Sequence, residues 1–149
     1  MADLTNLYRQ VIMDHYKNPL NKGLTHKEGY ELLHLNNPSC GDDMNVEVCV
    51  KDGVVTDIRH DGKGCSICCS SASVMSETLK GKSVHEALRL IEDFYLMIEG
   101  KEITEEEADD LGEAIAYTGV SQFPARIKCA TLSWKAAERI IRGNSNEGK

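Results

Sequence analysis

The apolar residues of this 149-residue chain change their spacing once, and that change limits the folds that the chain can adopt. Residues 44–51 alternate between apolar and other side chains, and Asp52-Gly53 is a tight-hairpin sequence that leads into a second strand-like run, residues 54–60. Residues 30–35 have the composition of a third, short strand. From Cys65 onwards apolar residues recur at helical spacing instead. Strands followed by helices predict an α+β fold with a three-stranded antiparallel sheet.

Capping residues and glycines predict where the helices lie. Apolar residues at helical spacing, stopped by Asn18-Pro19, predict an N-terminal helix over residues 4–17. The polar residues 20–29 predict a mobile connector to the sheet. In the C-terminal half, helices packed on the sheet are expected to begin after Cys65, at Ser83 with Glu86, at Thr104 with Glu107 and running through Ile115, and at Pro124. We expect one domain, residues 1–142, and a flexible tail, residues 143–149.

Composition argues against several classes of function. The net charge of −7 and the scarcity of aromatic residues, with one Trp and two Phe, argue against a nucleic-acid partner. No apolar run reaches the length of a membrane span, and the first residues do not resemble a signal peptide, so a cytoplasmic protein without a membrane partner is expected. In a reducing compartment six cysteines favour metal binding or catalysis over disulfides.

Three of the cysteines lie in settings that favour a thiolate. Cys40 follows Pro38-Ser39 and precedes Gly41, whose flexibility lets the backbone bend so that Cys40 and Asp42 point the same way. Cys65 stands where a strand gives way to a helix, where free backbone N–H groups stabilise a negative charge. Cys129 lies in the first turns of the last predicted helix, beside Arg126 and Lys128, whose charges lower a thiol pKa.

Together with Asp42, the three cysteines form a complete tetrahedral donor set for zinc. Because they come from three distant segments, spacing alone leaves open a second interpretation, in which they are three independent cysteines and one of them belongs to the core. Cys65 and Cys68 also imitate a thioredoxin-type pair, but the preceding strands predict an antiparallel hairpin instead of the βαβ context of that motif. Cys49 is expected to be a spectator, and the five histidines are expected to have surface or capping roles.

Three motifs in this order resemble the IscU/SufU family of iron–sulfur cluster assembly proteins, related to the N-terminal domain of NifU. The motifs are Asn37-Pro38-Ser39-Cys40-Gly41-Asp42, Gly62-Lys63-Gly64-Cys65-Ser66-Ile67 and the run from Phe123 to Trp134. The resemblance implies that Cys40, Asp42, Cys65 and Cys129 bind the metal. Lys128 stands where IscU scaffolds have a histidine, and the chain has extra residues from Phe94 to Asp109. Both departures are similar to the SufU branch.

Membership of that branch implies a zinc-dependent sulfurtransferase that accepts persulfide sulfur from a SufS-type, pyridoxal-phosphate-dependent cysteine desulfurase. Downstream cluster-assembly proteins are further expected partners. Cys40 is the favoured sulfur acceptor, and Arg126 and Lys128 are candidates for attracting the anionic persulfide. Two alternatives stay open. The same four residues bind iron or a [2Fe–2S] cluster in a scaffold, or they hold a structural zinc ion in an interaction domain.

Overall fold

The computed structural model contains one three-stranded antiparallel sheet with the order β1-β2-β3. Its strands are β1 Tyr30–Asn37, β2 Asp42–Lys51 and β3 Val54–Lys63. Asp52 and Gly53 form the tight turn between β2 and β3, with φ angles of 52° and 75°. The structure describes the backbone of residues 2–147 and the side chains of residues 6–143. The side chain of Leu4, at the start of the predicted N-terminal helix, therefore lies outside the described part.

One helix precedes the sheet and the others follow it, which confirms the predicted α+β architecture. The helices are α1 Ala2–Lys17, α2 Ser66–Leu79, α3 Val84–Ile98, α4 Glu105–Leu111, the 3₁₀ helix Gly112–Gln122 and α5 Pro124–Glu147. Among residues 2–147, none of these helices combines the length and the apolar character that a bilayer span requires.

Two helix ends differ from the expected positions. The helix capped by Thr104 ends at Leu111 and not at Ile115, because Gly112 takes a positive φ of 58° and a 3₁₀ helix follows. The last helix α5 continues to Glu147, past the expected domain boundary after Arg142. The boundary itself stays a prediction, and residues 148 and 149 lie outside the described part of the chain.

A buried contact among α2, α3 and α5 fixes the position of the last helix. The Trp134 ring of α5 stacks on Phe94 of α3, with centroids 3.9 Å apart and planes 5° from parallel. The Trp134 indole N–H donates to the Ser71 hydroxyl of α2 at 2.9 Å, and that hydroxyl donates to the carbonyl of Ala130 at 2.6 Å. Every polar atom in this contact has a partner, so burying it stabilises one arrangement of α5.

The connector before the sheet is anchored, so the expectation that residues 20–29 are mobile is wrong. The carboxylate of Glu47, a β2 residue only 1% exposed, accepts hydrogen bonds from the backbone N–H groups of Thr25 and His26 at 2.8 Å and from the Thr25 hydroxyl at 2.9 Å. The backbone of Leu20 is also held, since its N–H donates to the hydroxyl of Ser73 and its carbonyl accepts from His60. A buried carboxylate with several donors is a strong tether.

His15 and His60 do not have the surface or capping roles expected for them. Both are buried, at 6% and 3% exposure. Burial lowers the pKa of His60, in spite of the opposing hydrogen bond to the carbonyl of Leu20, and so favours its neutral form. Their burial depends on segments far away in the chain, which local sequence patterns do not reveal.

Replacing Glu47 with glutamine is expected to loosen the connector and to lower the free energy of unfolding by about 2–3 kcal/mol, because hydrogen bonds to a charged acceptor are lost. Trypsin cleavage after Lys22 and Lys27 measures the loosening, and urea unfolding measures the stability. The matched control is Glu28→Gln, because Glu28 is an exposed residue of the same connector. This variant should change neither the trypsin cleavage nor the free energy of unfolding. Unchanged cleavage in Glu47→Gln would show that the connector is held by other contacts.

The stability that Glu47 contributes should depend on pH. Burial alone raises the pKa of Glu47, but the hydrogen bonds from Thr25 and His26 outweigh burial and lower it. A lowered pKa stabilises the fold above the unfolded carboxyl pKa of about 4.3, and this stabilisation is lost as the pH falls through the folded value. The stability difference between wild type and Glu47→Gln should therefore be full at neutral pH and shrink in acid.

Candidate metal centre

The β1–β2 turn and the β3–α2 junction meet at one end of the sheet. Antiparallel register pairs Asn37 with Asp42, so that the turn containing Cys40 lies beyond them, and Gly41 turns the chain with a φ of 74°. On the other side of β2, Asp43 pairs with Lys63 of β3, which places Cys65 just past the same end of the sheet. Cys65 is the residue that caps the start of α2. Two of the predicted site segments are thus brought together by strand pairing alone.

Asp42 joins these two segments, and half of its carboxylate has no protein partner. Its Oδ1 accepts the backbone N–H of Cys65 at 3.0 Å. Its Oδ2 is buried and has no hydrogen-bond partner among the described residues, and the whole residue is 1% exposed. A buried carboxylate oxygen without a hydrogen bond lowers the stability of the fold by about 1–3 kcal/mol or more. A cation bound at Oδ2 would remove that cost.

The last helix brings the third cysteine to this carboxylate. Cys129 lies in the second turn of α5 and is fully buried, and the amide of Asn37 donates to its sulfur at 3.8 Å. The ligand atoms of Cys40, Asp42 and Cys129 all lie within 4.8 Å of one another. Two sulfurs and one oxygen this close together could hold a single metal ion.

The thiol of Cys65 is adjacent to this group but is not a member of it. Burial is the main cause that raises the pKa of Cys129, and its closeness to the side chains of Asp42, Cys40 and Cys65 raises it further. The centre therefore brings one carboxylate and several thiols close together, with Cys129 and Asp42 buried and Cys40 exposed. Metal binding displaces protons from such thiols, so the donor chemistry suits a divalent ion of soft or borderline character. That Cys65 completes the ligand set stays a prediction.

The two basic residues named from the sequence are placed differently. Arg126 is exposed, and its guanidinium lies beside Cys65 and Cys129, whose charges raise the pKa of Arg126. Lys128 is also exposed but lines a groove with Pro38, Lys135 and Arg139. None of the hydrogen bonds or ion pairs described for residues 6–143 joins Lys128 to the four candidate ligands.

The other three cysteines lie outside the group of ligand atoms. Cys49 is buried in the sheet, at 4% exposure, and Cys68 is completely buried in α2. Burial, followed by the nearby charge of Asp42, strongly raises the pKa of Cys68, which keeps it a thiol. Burial also raises the pKa of the half-buried Cys69. Cys49 and Cys68 are thus buried among core residues and have the properties of packing residues, whereas Cys69 is half-buried.

Two residues that shape the centre were not assigned a role from the sequence. Asn37 donates to the sulfur of Cys129, and its position opposite Asp42 in the hairpin register is the signal that would have found it. Gly64 packs against Asp42 so closely that a Cβ atom there would collide with the carboxylate. A glycine immediately before a cysteine is visible in the sequence, but its neighbour across the sheet is not.

Comparison with known proteins places this chain in a family of the same fold. Residues 7–130 match the family described as NifU-like N terminal domain. The chain belongs to the NifU-like N-terminal domain family. This membership bears out the resemblance drawn from the three cysteine motifs.

Curated relatives carry two different descriptions. The zinc-dependent sulfurtransferase SufU of Bacillus subtilis is 49% identical, over 94% of this chain and 92% of that protein. The iron–sulfur cluster assembly scaffold protein IscU of Streptococcus pyogenes is 39% identical, over 98% of this chain and 89% of its own length. A candidate SUF-system scaffold from Fervidobacterium islandicum has a solved structure with a TM-score of 0.76 and 32% identity, covering 87% and 92% of the two chains.

Replacing Gly64 with alanine is expected to weaken metal binding at least about tenfold, because the added methyl group pushes Asp42 out of place. Titration with Co²⁺ measures the affinity through the thiolate-to-cobalt charge-transfer band. Gly143→Ala is the matched control, since a Cβ there meets nothing within 4 Å. If Gly64→Ala bound Co²⁺ as tightly as wild type, the position of Asp42 would not matter to the centre.

Proposed function

We propose that this protein is a zinc-dependent sulfur-transfer partner of a cysteine desulfurase in iron–sulfur cluster biogenesis. The observation that carries the proposal is the buried carboxylate of Asp42, which has one unpaired oxygen and a ligand atom within 4.8 Å of the sulfurs of Cys40 and Cys129. The similarity to the Bacillus subtilis sulfurtransferase supports it. The expected desulfurase is of the SufS type, and the expected location is the cytoplasm.

Cys40, Asp42, Cys65 and Cys129 are the proposed ligands of the zinc ion. When bound, zinc keeps cysteine thiolates deprotonated near neutral pH and adds no redox chemistry of its own. The three sulfurs differ in their burial and in the elements that carry them. Cys129 is buried in a helix, and Cys65 caps a helix, whereas Cys40 is exposed in a glycine-containing turn. Cys40 is therefore the sulfur that a docked donor protein can reach.

The proposed transfer is an exchange at divalent sulfur. The Cys40 thiolate attacks the outer sulfur of a persulfide on the desulfurase cysteine. A new S–S bond forms at Cys40 while the S–S bond of the donor breaks, and the donor cysteine leaves as a thiolate with the bonding electron pair. The outcome is a persulfide on Cys40 and a free desulfurase cysteine. No external oxidant or reductant is needed.

Arg126 is the residue best placed to assist. Its exposed guanidinium lies beside the sulfurs of Cys65 and Cys129, so it offers a positive charge at the mouth of the centre. An incoming persulfide is an anion, and a fixed cation near its path lowers the electrostatic cost of approach. Lys128, which was expected to share this role, lines the neighbouring groove with Lys135 and Arg139. We propose that it acts on the docking partner and not on the sulfur.

A scaffold for a [2Fe–2S] cluster is the second candidate, because the Streptococcus pyogenes relative bears that description over 98% of this chain. Lys128 weakens this candidate. A protonated lysine has no lone pair to offer iron at the position where scaffolds of the family have histidine. A purely structural zinc site is the third candidate, and the exposure of Cys40 is unusual for a closed structural site.

The decisive experiment measures metal content and desulfurase turnover together. The purified protein is expected to contain one zinc ion per chain and to stimulate alanine production by a SufS-type desulfurase. Cys40→Ala should reduce turnover to the rate of the desulfurase alone, because the acceptor sulfur is gone. Cys69→Ala changes a half-buried cysteine outside the ligand group and serves as the control, with stimulation retained. Full stimulation by Cys40→Ala would overturn the assignment of the acceptor.

Asp42→Ala separates the three candidates. A transfer protein should keep its fold, seen by circular dichroism and thermal melting, while its stimulation of the desulfurase changes. A structural site should lose stability along with its metal. A scaffold should give a coloured, stable cluster in the wild-type protein when iron, cysteine and the desulfurase are supplied. A zinc-free protein that gains such a cluster would contradict the proposed transfer role.

A further inference from the structure

A second group of metal-ligating side chains lies where α1, α2 and the 3₁₀ helix converge. His15 comes from the last turn of α1, Glu77 from α2 and Glu113 from the second position of the 3₁₀ helix. One ligand atom from each lies within 4.8 Å of the other two. The group shares no residue with the cysteine centre, and the proposed sulfur transfer makes no use of it.

His15 is held with one ring nitrogen directed at the two carboxylates. The residue is 6% exposed, and its Nδ1 lies 2.7 Å from the hydroxyl of Ser73, whose oxygen also accepts the backbone N–H of Leu20 at 2.8 Å. Its Nε2 lies 2.9 Å from Oε1 of Glu113 and 3.9 Å from Oε1 of Glu77. A hydrogen bond at one nitrogen that orients the other is the usual support of a metal-binding histidine.

The two carboxylates around this nitrogen have no described basic partner other than His15. Among residues 6–143, no ion pair to Lys or Arg is described for either Glu77 or Glu113, and both carboxylates contact the same imidazole. Lysine and arginine side chains therefore contribute no described counter-charge to this pair of carboxylates. A divalent cation at the same place would satisfy both carboxylates and the nitrogen together.

We propose that His15, Glu77 and Glu113 bind a divalent first-row metal ion through one nitrogen and two oxygens. Metal–ligand bonds of about 2.0–2.2 Å separate neighbouring ligand atoms by roughly 3–4 Å, as His15 is separated from the two carboxylates here. The group opens onto a pocket of about 430 Å³ that is also lined by Asp14 and Asn18, so water ligands have room. This centre prefers harder ions than the cysteine centre does.

Binding there would fasten the N-terminal helix to the rest of the protein. Each ligand belongs to a different element, so the ion bridges α1 to both α2 and the 3₁₀ helix. A ligand that binds only the folded arrangement stabilises it by an amount that grows with the logarithm of the ligand concentration above its dissociation constant. The proposed ion therefore raises the melting temperature of the protein without touching the cysteines.

Mn²⁺ is the appropriate probe, because it favours oxygen and nitrogen donors and competes poorly for thiolates. The full-length protein, with its cysteine centre loaded with zinc, is titrated with Mn²⁺ and the free ion is measured by electron paramagnetic resonance. We expect one saturable Mn²⁺ per chain and an increase in melting temperature. Glu77→Gln should weaken binding at least about tenfold and abolish the increase. Its side chain is 45% exposed, so the variant is expected to fold.

Bound zinc keeps Mn²⁺ out of the cysteine centre, and two controls test other binding. Cys69→Ala, a cysteine outside the ligand group, should bind Mn²⁺ as wild type does, and so should Glu106→Gln, which removes an exposed carboxylate from α4. The proposal is overturned if no saturable binding is seen up to about 1 mM Mn²⁺. It is equally overturned if Glu77→Gln binds Mn²⁺ as wild type does, since the group would then be only a hydrogen-bonded ion pair.

Discussion

The hydrogen bond between Oδ1 of Asp42 and the backbone N–H of Cys65 organises the cysteine centre. It fixes the start of β2 against the start of α2, and it fixes the rotation of the carboxylate. Because one oxygen is used in this way, the other oxygen is left buried without a protein donor among the described residues. Gly64 makes the approach possible, since any larger residue would occupy the place of the carboxylate.

The fold gives the sulfurs unequal freedom around this fixed carboxylate. Cys129 is carried by a helix whose position is set five residues later by Trp134, stacked on Phe94 and bonded to Ser71. Cys40 lies instead in an exposed turn, with backbone hydrogen bonds from Cys40 and Gly41 to the carbonyl of Asn37. A buried sulfur that holds a metal and an exposed sulfur that a partner can reach are the combination that the proposed sulfur transfer requires.

Local patterns predicted most of the fold, because they depend on neighbours in sequence. The strand alternation, the Asp52-Gly53 turn and the cap at Thr104 are of this kind. Features that depend on distant partners were mispredicted. The connector is anchored by Glu47, more than twenty residues further on, and the burial of His15 depends on Ser73 and Glu113. The same limit applied to the cysteine centre. The spacing of the cysteines did not show whether they lie close together, and only the family resemblance predicted that they do.

The unequal exposure of the cysteines also determines where chemical damage falls. Peroxide and alkylating reagents react with accessible thiolates, and oxidation beyond the sulfenic acid stage is essentially irreversible. Cys129 and Cys68 are shielded by complete burial, whereas Cys40 is exposed. Oxidative inactivation would therefore begin at the one sulfur that the proposed function needs to be reachable, and a bound metal ion or a docked partner protein would protect that sulfur.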